Sequence, residues 1–399
     1  MKLLHFIPDS PFSVYIKDTF DRVFPDSNIY RTHTLRGDSP AFLEKSPDVE
    51  FAGIDYWTSR RMREEVKQCD CLIINSMNPL YIDAILGAPS NVVIFWATWG
   101  GDYYRFLSPY MTDIHLPKTR ILLEARKGRE FIRYWINRMM TAIKDPLKIR
   151  SYLGVFLPYL SWRKKLPLDV IPRIDYFHVL PTVRNLFEMA FPGANKQYNE
   201  MFFFCAEKTF SAGPTSMNGP DILIGNGATP ANNHLEIFDL LDDLDLGSRK
   251  LIVPLNRGDK RYAKEIEIIG KRRFGERITI LRDLMPASQY YQCIQKCGTV
   301  IMNHVRHAAG ATIPTVMYKG SRVYLRNENP LKNFYENLGV PVGSVQDDLA
   351  ERKKFLKPFC DTEKIQIHKV LEARWSDANA LQSIGRLADF VKERHSLCR

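Results

Sequence analysis

Short apolar runs alternate with stretches of helical spacing along both halves of this chain, and a break rich in Ser, Gly, Pro and Thr separates the two series. In the first half, Leu3–Ile7, Cys71–Asn75, Val92–Trp96 and Tyr176–Leu180 read as strands. Phe12–Val23, Pro79–Leu86 and Val183–Ala190 read as helices, the last with Thr182 as its cap. In the second half the strands are Asp221–Gly225, Lys250–Pro254, Ile278–Leu281, Thr299–Asn303 and Arg322–Leu325. Helices Asn233–Leu241, Arg261–Lys271, Pro286–Gln295 and Ala311–Tyr318 lie between them, and Ile365–Arg374 and Ala378–His395 close the chain. Strands that are apolar throughout are buried on both faces, which requires helices on both sides of a parallel sheet. The pattern predicts an α/β protein with two doubly wound domains. The expected boundaries are 1–205 for the first domain, 206–220 for a linker, 221–375 for the second, and 376–399 for a last helix returning to the first.

The 399 residues carry a net charge of +11, a balance that suits polyanionic partners. The excess is concentrated in 118–168, where thirteen Lys or Arg stand before position 166 against Glu124, Glu130 and Asp145. Aromatic and bulky apolar residues such as Phe131, Tyr134, Trp135, Tyr152, Phe156 and Trp162 are interleaved with these cations. That mixture fits an interfacial element on an anionic membrane surface, or a solvated face over ordinary core. No run reaches the ~18 apolar residues of a membrane span. Seven scattered cysteines argue against a disulfide framework and for a reducing compartment, and neither close pair has zinc spacing. No nucleic-acid-binding motif accompanies the charge.

Four strings follow strands, where open α/β sheets place their ligands. Trp96-Ala97-Thr98-Trp99-Gly100-Gly101-Asp102 offers rings for stacking on a sugar and a carboxylate. Asp102 is either a general base for an acceptor hydroxyl or a helix cap. Gly225-Asn226-Gly227, leading to Asn233 and His234, is a glycine loop before a helix, a geometry suited to anions but without the dinucleotide fingerprint. Asn233 or His234 would reach a phosphate or sugar; alternatively Asn233 only caps. In Asn303-His304-Val305-Arg306, Arg306 would neutralise a diphosphate, with the Ala309–Thr312 amides beside it. Glu328 and Asn329 follow another strand, where Glu328 either takes hydroxyl hydrogen bonds or pairs with Arg326. Arg257 is a further phosphate candidate. Asp243-Leu244-Asp245 is a D-x-D string within an acidic helix end, and reads as a solvated face.

The ordered set of strings resembles the TDP-Fuc4NAc:lipid II Fuc4NAc transferases of enterobacterial common antigen synthesis. It runs from His5 and Asp9 through Asn78-Pro79, Trp99-Gly100-x-Asp102, Ile222–Asn226 with Asn233-His234, Val253-Pro254, Arg306 with Thr312, and Asn327-Glu328-Asn329-Pro330. The resemblance implies a GT-B fold, two Rossmann-like domains facing a central cleft, with no required metal and no cofactor. It implies a nucleotide-sugar donor, TDP-linked, held by Gly225, Asn226, Asn233, His234, Arg257, Arg306, Thr312, Glu328 and Asn329. Asp102 becomes the catalytic candidate, and His5, Asp9, Asn78, Trp99 and Gly100 the acceptor side. The implied acceptor is a polyprenyl-diphosphate-linked saccharide at the cytoplasmic face of the inner membrane, with the protein peripheral there. Departures include Gly101, and His307-Ala308-Ala309 where the family has Gln-Gln-Gly. The other readings are a sugar-nucleotide-processing enzyme of another class on the same scaffold, and a non-catalytic polyanion-binding protein.

Overall fold

The computed structural model describes residues 1–33, 42–104, 113–126, 169–192, 198, 210–350 and 359–397. The chain divides into two compact units. The first comprises Met1–Met111, Ile132–Cys205 and Asp377–Arg399; the second comprises Thr112–Phe131 and Ala206–Ser376. Residues 113–126, expected with the first domain, belong to the second unit. The rest of the basic aromatic stretch, 127–168, lies outside the described residues.

The first unit is built on six parallel strands: β1 (Leu3–Pro8), β2 (Asn28–His33), β3 (Val49–Ala52), β4 (Cys71–Asn75), β5 (Val93–Ala97) and β6 (Tyr176–His178). Their order is β3-β2-β1-β4-β5-β6. β4 and β5 are buried at every residue because helices cover both faces. On one face Phe6, Trp57, Tyr81, Trp96 and Phe187 pack together. On the other, Ile7, Phe20 and Phe95 meet Ile384, Leu387 and Val391 of the last helix, Asp377–Leu397. Ion pairs Arg22–Asp377 and Arg394–Asp175 tie that helix to the same unit.

β2 and β3 escape the apolar-run reading. Arg31 is buried in β2, but its guanidinium is paired with Glu65 at 2.8 and 3.0 Å, which satisfies the charge that would otherwise exclude it. Thr182 does not cap the helix after β6. Its hydroxyl is buried without a partner, and the helix starts at Arg184 after a 3₁₀ turn, Pro181–Val183.

The second unit repeats the plan with β7 (Ile222–Ile224), β8 (Leu251–Pro254), β9 (Ile278–Leu281), β10 (Thr299–Met302), β11 (Arg322–Leu325) and β12 (Gly343–Ser344). The order is β12-β11-β10-β7-β8-β9, all parallel. Counted from each unit's first strand, both sheets run 3-2-1-4-5-6. Each therefore has a topological switch point, between β1 and β4 and between β7 and β10, where crossovers leave in opposite directions and a crevice opens at the carboxyl edge.

The segment read as a linker is held to the second unit. Lys319 Nζ donates to the carbonyls of Phe210 and Pro214, both at 2.7 Å, and Met217 N–H bonds the Lys319 carbonyl at 2.6 Å. Gly219 lies so close to the Lys296 backbone that a Cβ would sit 2.5 Å from its oxygen. Among the described residues no helix is long and apolar enough to cross a membrane.

Candidate functional site

At the carboxyl edge of the second sheet, buried amides knit the loops at the switch point together. Gly225 leaves β7 with φ +68°, a conformation that only glycine adopts without strain. A Cβ there would lie 2.5 Å from Asn232 Oδ1 and 3.0 Å from His234 Nε2. Asn232 Oδ1 accepts the Asn226 N–H at 3.1 Å, while its Nδ2 donates to the Gly227 carbonyl and to Thr229. Asn233, itself left-handed at φ 49°, crosses to the next loop: its Nδ2 donates to the Asn303 carbonyl, and Asn303 Nδ2 returns a bond to the Asn233 carbonyl. Asn303 Oδ1 accepts from Arg326 Nη1, and Arg326 grips Glu328 at 3.2 and 3.0 Å. One network thus joins the loops after β7, β10 and β11. The loop after β8 is added by backbone: Ala228 N–H bonds the Arg257 carbonyl, and Asp259 N–H bonds the Ala228 carbonyl.

These contacts sort the sequence candidates of this unit. Asn233 and His234 are wholly buried, so they shape the loop instead of facing solvent. Asn233 is not a side-chain cap; it also binds the Ile114 carbonyl and the Leu116 N–H. His234 Nδ1 meets the Tyr262 hydroxyl at 3.0 Å, and burial pulls its pKa down to about 3. Asn329 caps the helix Pro330–Asn337 through the Leu331 N–H and is fully buried. Glu328 takes the ion-pair alternative with Arg326 and accepts from Gln346 Nε2 at 2.6 Å. Arg257 is exposed after β8, and Thr312 opens the helix Thr312–Tyr318. Arg306 is partly exposed, its Nη1 donating to the His307 carbonyl at 2.9 Å. Gly225 N–H is spent on the Ile301 carbonyl and Asn226 N–H on Asn232, so the groups with exposed surface at this edge are the Asn226 side chain, Arg306 and Arg257, a cationic surface. Asp243 and Asp245 are exposed, and Asp245 bonds the Gly247 N–H.

In the first unit, Asp102 is 7% exposed and accepts three hydrogen bonds: from Met77 N–H at 2.9 Å, the Trp96 indole at 2.8 Å and Trp99 N–H at 3.1 Å. Burial raises its pKa against these donors. Both oxygens are in use, and the carboxylate clamps the loops after β4 and β5, a structural role beside the general-base reading. Gly100, at φ +86°, makes that turn possible. His5 is a core residue in mid-strand, bonded to Asn28, stacked on Tyr30 at 4.5 Å, and held neutral with a pKa of about 3. Asp9 binds the amides of Phe42 and Leu43, and Asn78 caps the Pro79–Tyr81 turn. Trp99 meets Phe12 edge-on at 5.9 Å.

Sequence reasoning overlooked Asn232 and Asn303 as organisers. The only trace was an amide cluster directly after two strand ends. It also overlooked His33, whose polar strand gave no apolar signal. Of the basic segment, Lys118 pairs with Asp239 and Arg126 with Asp259, while Ile121 is 65% exposed. Among the described residues no group of three or more His, Cys, Asp or Glu is placed to hold a metal ion.

Residues 181–379 match the family model of 4-alpha-L-fucosyltransferase, glycosyl transferase group 56. No curated protein matches the chain. Among solved structures, the fold is similar to Anabaena Alr3699/HepE in complex with UDP and glucose, at 12% identity and TM-score 0.61, covering 98% of this chain and 99% of that one. It is also similar to sucrose-phosphate synthase from Thermosynechococcus elongatus, at 8% identity and TM-score 0.60, covering 98% and 99%. An alpha-glucosyltransferase in complex with UDP aligns at 11% identity and TM-score 0.56, covering 98% and 100%. At these identities the likeness is one of fold, and that fold is GT-B.

Proposed function

We propose, from the membership of this chain in glycosyl transferase group 56, that this glycosyltransferase moves a deoxy or acetamido sugar from a TDP-linked donor to a polyprenyl-diphosphate-linked saccharide. The observation that carries the reading is the family match over residues 181–379, the stretch that contains all six strands of the second sheet and its switch-point loops. In this reading the diphosphate lies over the Gly225–Gly227 turn with Arg306 and Arg257 beside it. Those cations oppose the negative charge that gathers on the departing nucleoside diphosphate as its bond to the sugar's anomeric carbon breaks and the bond to the acceptor oxygen forms. The acceptor side falls to the first unit, at Asp9, Asn78 and Trp99. A lipid-linked acceptor belongs to a membrane surface, and we place the protein peripherally on the cytoplasmic face of the inner membrane, in surface-polysaccharide assembly. The cationic, aromatic stretch 118–168 supports that placement by composition.

HepE was solved with UDP, which favours uridine as the competing donor base. A thermal-shift comparison decides between them, because a ligand that binds only the folded state stabilises it by RT ln(1 + [L]/Kd), about 2.7 kcal/mol at a hundredfold excess over Kd. dTDP is expected to raise the melting temperature and UDP to raise it less. Arg306→Ala is expected to weaken dTDP binding by ~10- to 100-fold, the loss of a charged hydrogen bond. A wild-type protein shifted by neither nucleotide refutes the donor assignment.

A further inference from the structure

The first sheet's switch point holds a histidine that none of the readings above uses. His33 ends β2 and pairs in register with Pro8, the last residue of β1. Its ring does not stay over its own strand. Nδ1 meets the Tyr81 hydroxyl at 2.8 Å and Nε2 faces Asn78 Nδ2 at 3.4 Å, and both partners follow β4. In the sheet order β2-β1-β4, the imidazole therefore reaches across the end of β1 to the segment after β4, where the crevice opens.

The two contacts differ in kind. The bond to Tyr81 has ordinary length, and the ring is wedged edge-on against Trp57 and Tyr81, with centroids 6.2 and 5.8 Å away. These fix the ring's orientation. The approach to Asn78 is long for a hydrogen bond. Asn78 Oδ1 is committed to capping the Leu80 N–H at 3.1 Å, so it is the Nδ2 donor that faces His33. With the ring proton on Nδ1, donating to the Tyr81 hydroxyl, Nε2 offers a lone pair and Asn78 Nδ2 a hydrogen, side by side and weakly engaged, on two residues that both retain some exposure. Burial keeps the imidazole neutral, with a pKa of about 4.

A neutral acceptor next to a neutral donor is the complement of one hydroxyl group, which donates through its hydrogen and accepts on its oxygen. It has no charge to offer a phosphate or a carboxylate. We propose that His33 Nε2 and Asn78 Nδ2 bind and orient a hydroxyl of the acceptor saccharide, the hydroxyl inserting between them so that the O–H donates to His33 and the oxygen accepts from Asn78. The assignment rests on the transferase reading above and names the acceptor-side groups within it. It moves no proton of its own.

The test uses the full chain with TDP-Fuc4NAc as donor and a farnesyl-diphosphate-linked disaccharide as acceptor, following kcat and both KM values. His33→Phe keeps a ring of similar size without an acceptor atom, and is expected to lower kcat/KM for the disaccharide by ~10- to 100-fold. The donor KM and the dTDP thermal shift should stay at wild-type values. His33→Gln restores an acceptor atom and should recover most of the loss, which a purely structural role for the ring would not produce. Asn78→Ser keeps a helix-capping oxygen but removes the amide donor, so it should show the same acceptor-specific loss even where His33→Phe fails to fold. Folded variants within threefold of wild type, or a donor KM that moves as much as the acceptor KM, overturn the assignment while leaving the transferase reading standing. A wild-type chain that transfers sugar from neither TDP-Fuc4NAc nor UDP-glucose overturns the substrate reading, and this assignment with it.

Discussion

Replacing Asp102 by Asn separates a structural carboxylate from a catalytic one. In the wild type one oxygen accepts from Met77 N–H and the Trp96 indole, and the other accepts from Trp99 N–H. An asparagine can keep its carbonyl on the first pair, but its NH2 then faces the Trp99 N–H, donor against donor. One charge-assisted bond is lost and one buried donor is left unpaired, at about 2 kcal/mol after allowing for the easier burial of a neutral group. For a unit of this size that lowers the melting temperature by roughly 4–8 °C. Asp102→Ala removes all three acceptor contacts and should cost on the order of 4 kcal/mol. The pH dependence has a sign. Folding raises the Asp102 pKa above its usual 3.8, so the contribution of this group is fullest below that value and declines as pH rises through the folded one. The gap between wild type and Asp102→Asn should therefore be widest in acid. Calorimetry gives the stability, and turnover per folded molecule gives the chemistry. A variant that melts with the wild type yet loses turnover a hundredfold would refute the clamp and support the general base.

Two further outcomes follow from the same structure. Gly225→Ala forces an L residue to φ +68° and drives a Cβ to 2.5 Å from Asn232 Oδ1, so we expect a loss of about 2–4 kcal/mol in the second unit together with loss of the dTDP thermal shift. Unchanged melting and binding would show that the loop is not built as described. His5 and His33 in the first unit and His234 in the second are held neutral, with pKa values of about 3, 4 and 3, and His304 lies well below the usual 6.5. Each binds its proton only on unfolding, so stability is complete above pH 6.5 and falls as pH drops through it, by about 3 kcal/mol per unit at pH 5.5. Urea midpoints that stay flat between pH 7.5 and 5.5 would contradict this.

The strands that carry the fold were legible because each is a short, mostly apolar run. Cys71–Asn75, Ile278–Leu281 and Arg322–Leu325 have the bounds read from sequence. β2 and β3 were not, because burial there is earned by pairing: Arg31 enters the sheet with Glu65 attached, and no run of hydrophobic residues announces it. At the sites, position was legible and role was not. Every candidate string does follow a strand end, yet Asp102 and Asn233 spend their polar atoms on neighbouring loops, His234 meets the Tyr262 hydroxyl and Asn329 caps its own helix. A sequence gives the residue type at a strand end. It does not give the direction of the side chain, and a residue that binds a ligand and one that holds the loop binding it have the same composition.

That difference has a physical consequence for how the second unit would meet a diphosphate. A glycine loop left to itself samples many conformations, and ordering each residue costs about 1–2 kcal/mol of backbone entropy. Here Asn232 holds the turn after β7 from inside, Asn233 and Asn303 lock it to the loop after β10 by exchanged side-chain bonds, and Arg326 extends the lock to the loop after β11. The entropy is spent in folding, through buried amides whose alternative would be unpaired polar atoms in a dry interior. A ligand arriving at Gly225–Gly227 would then find a loop already fixed in place, and its binding energy would not be consumed in ordering it. The asparagines at 232, 233 and 303 touch no solvent at that edge, and on this argument they matter to affinity as much as any residue that does.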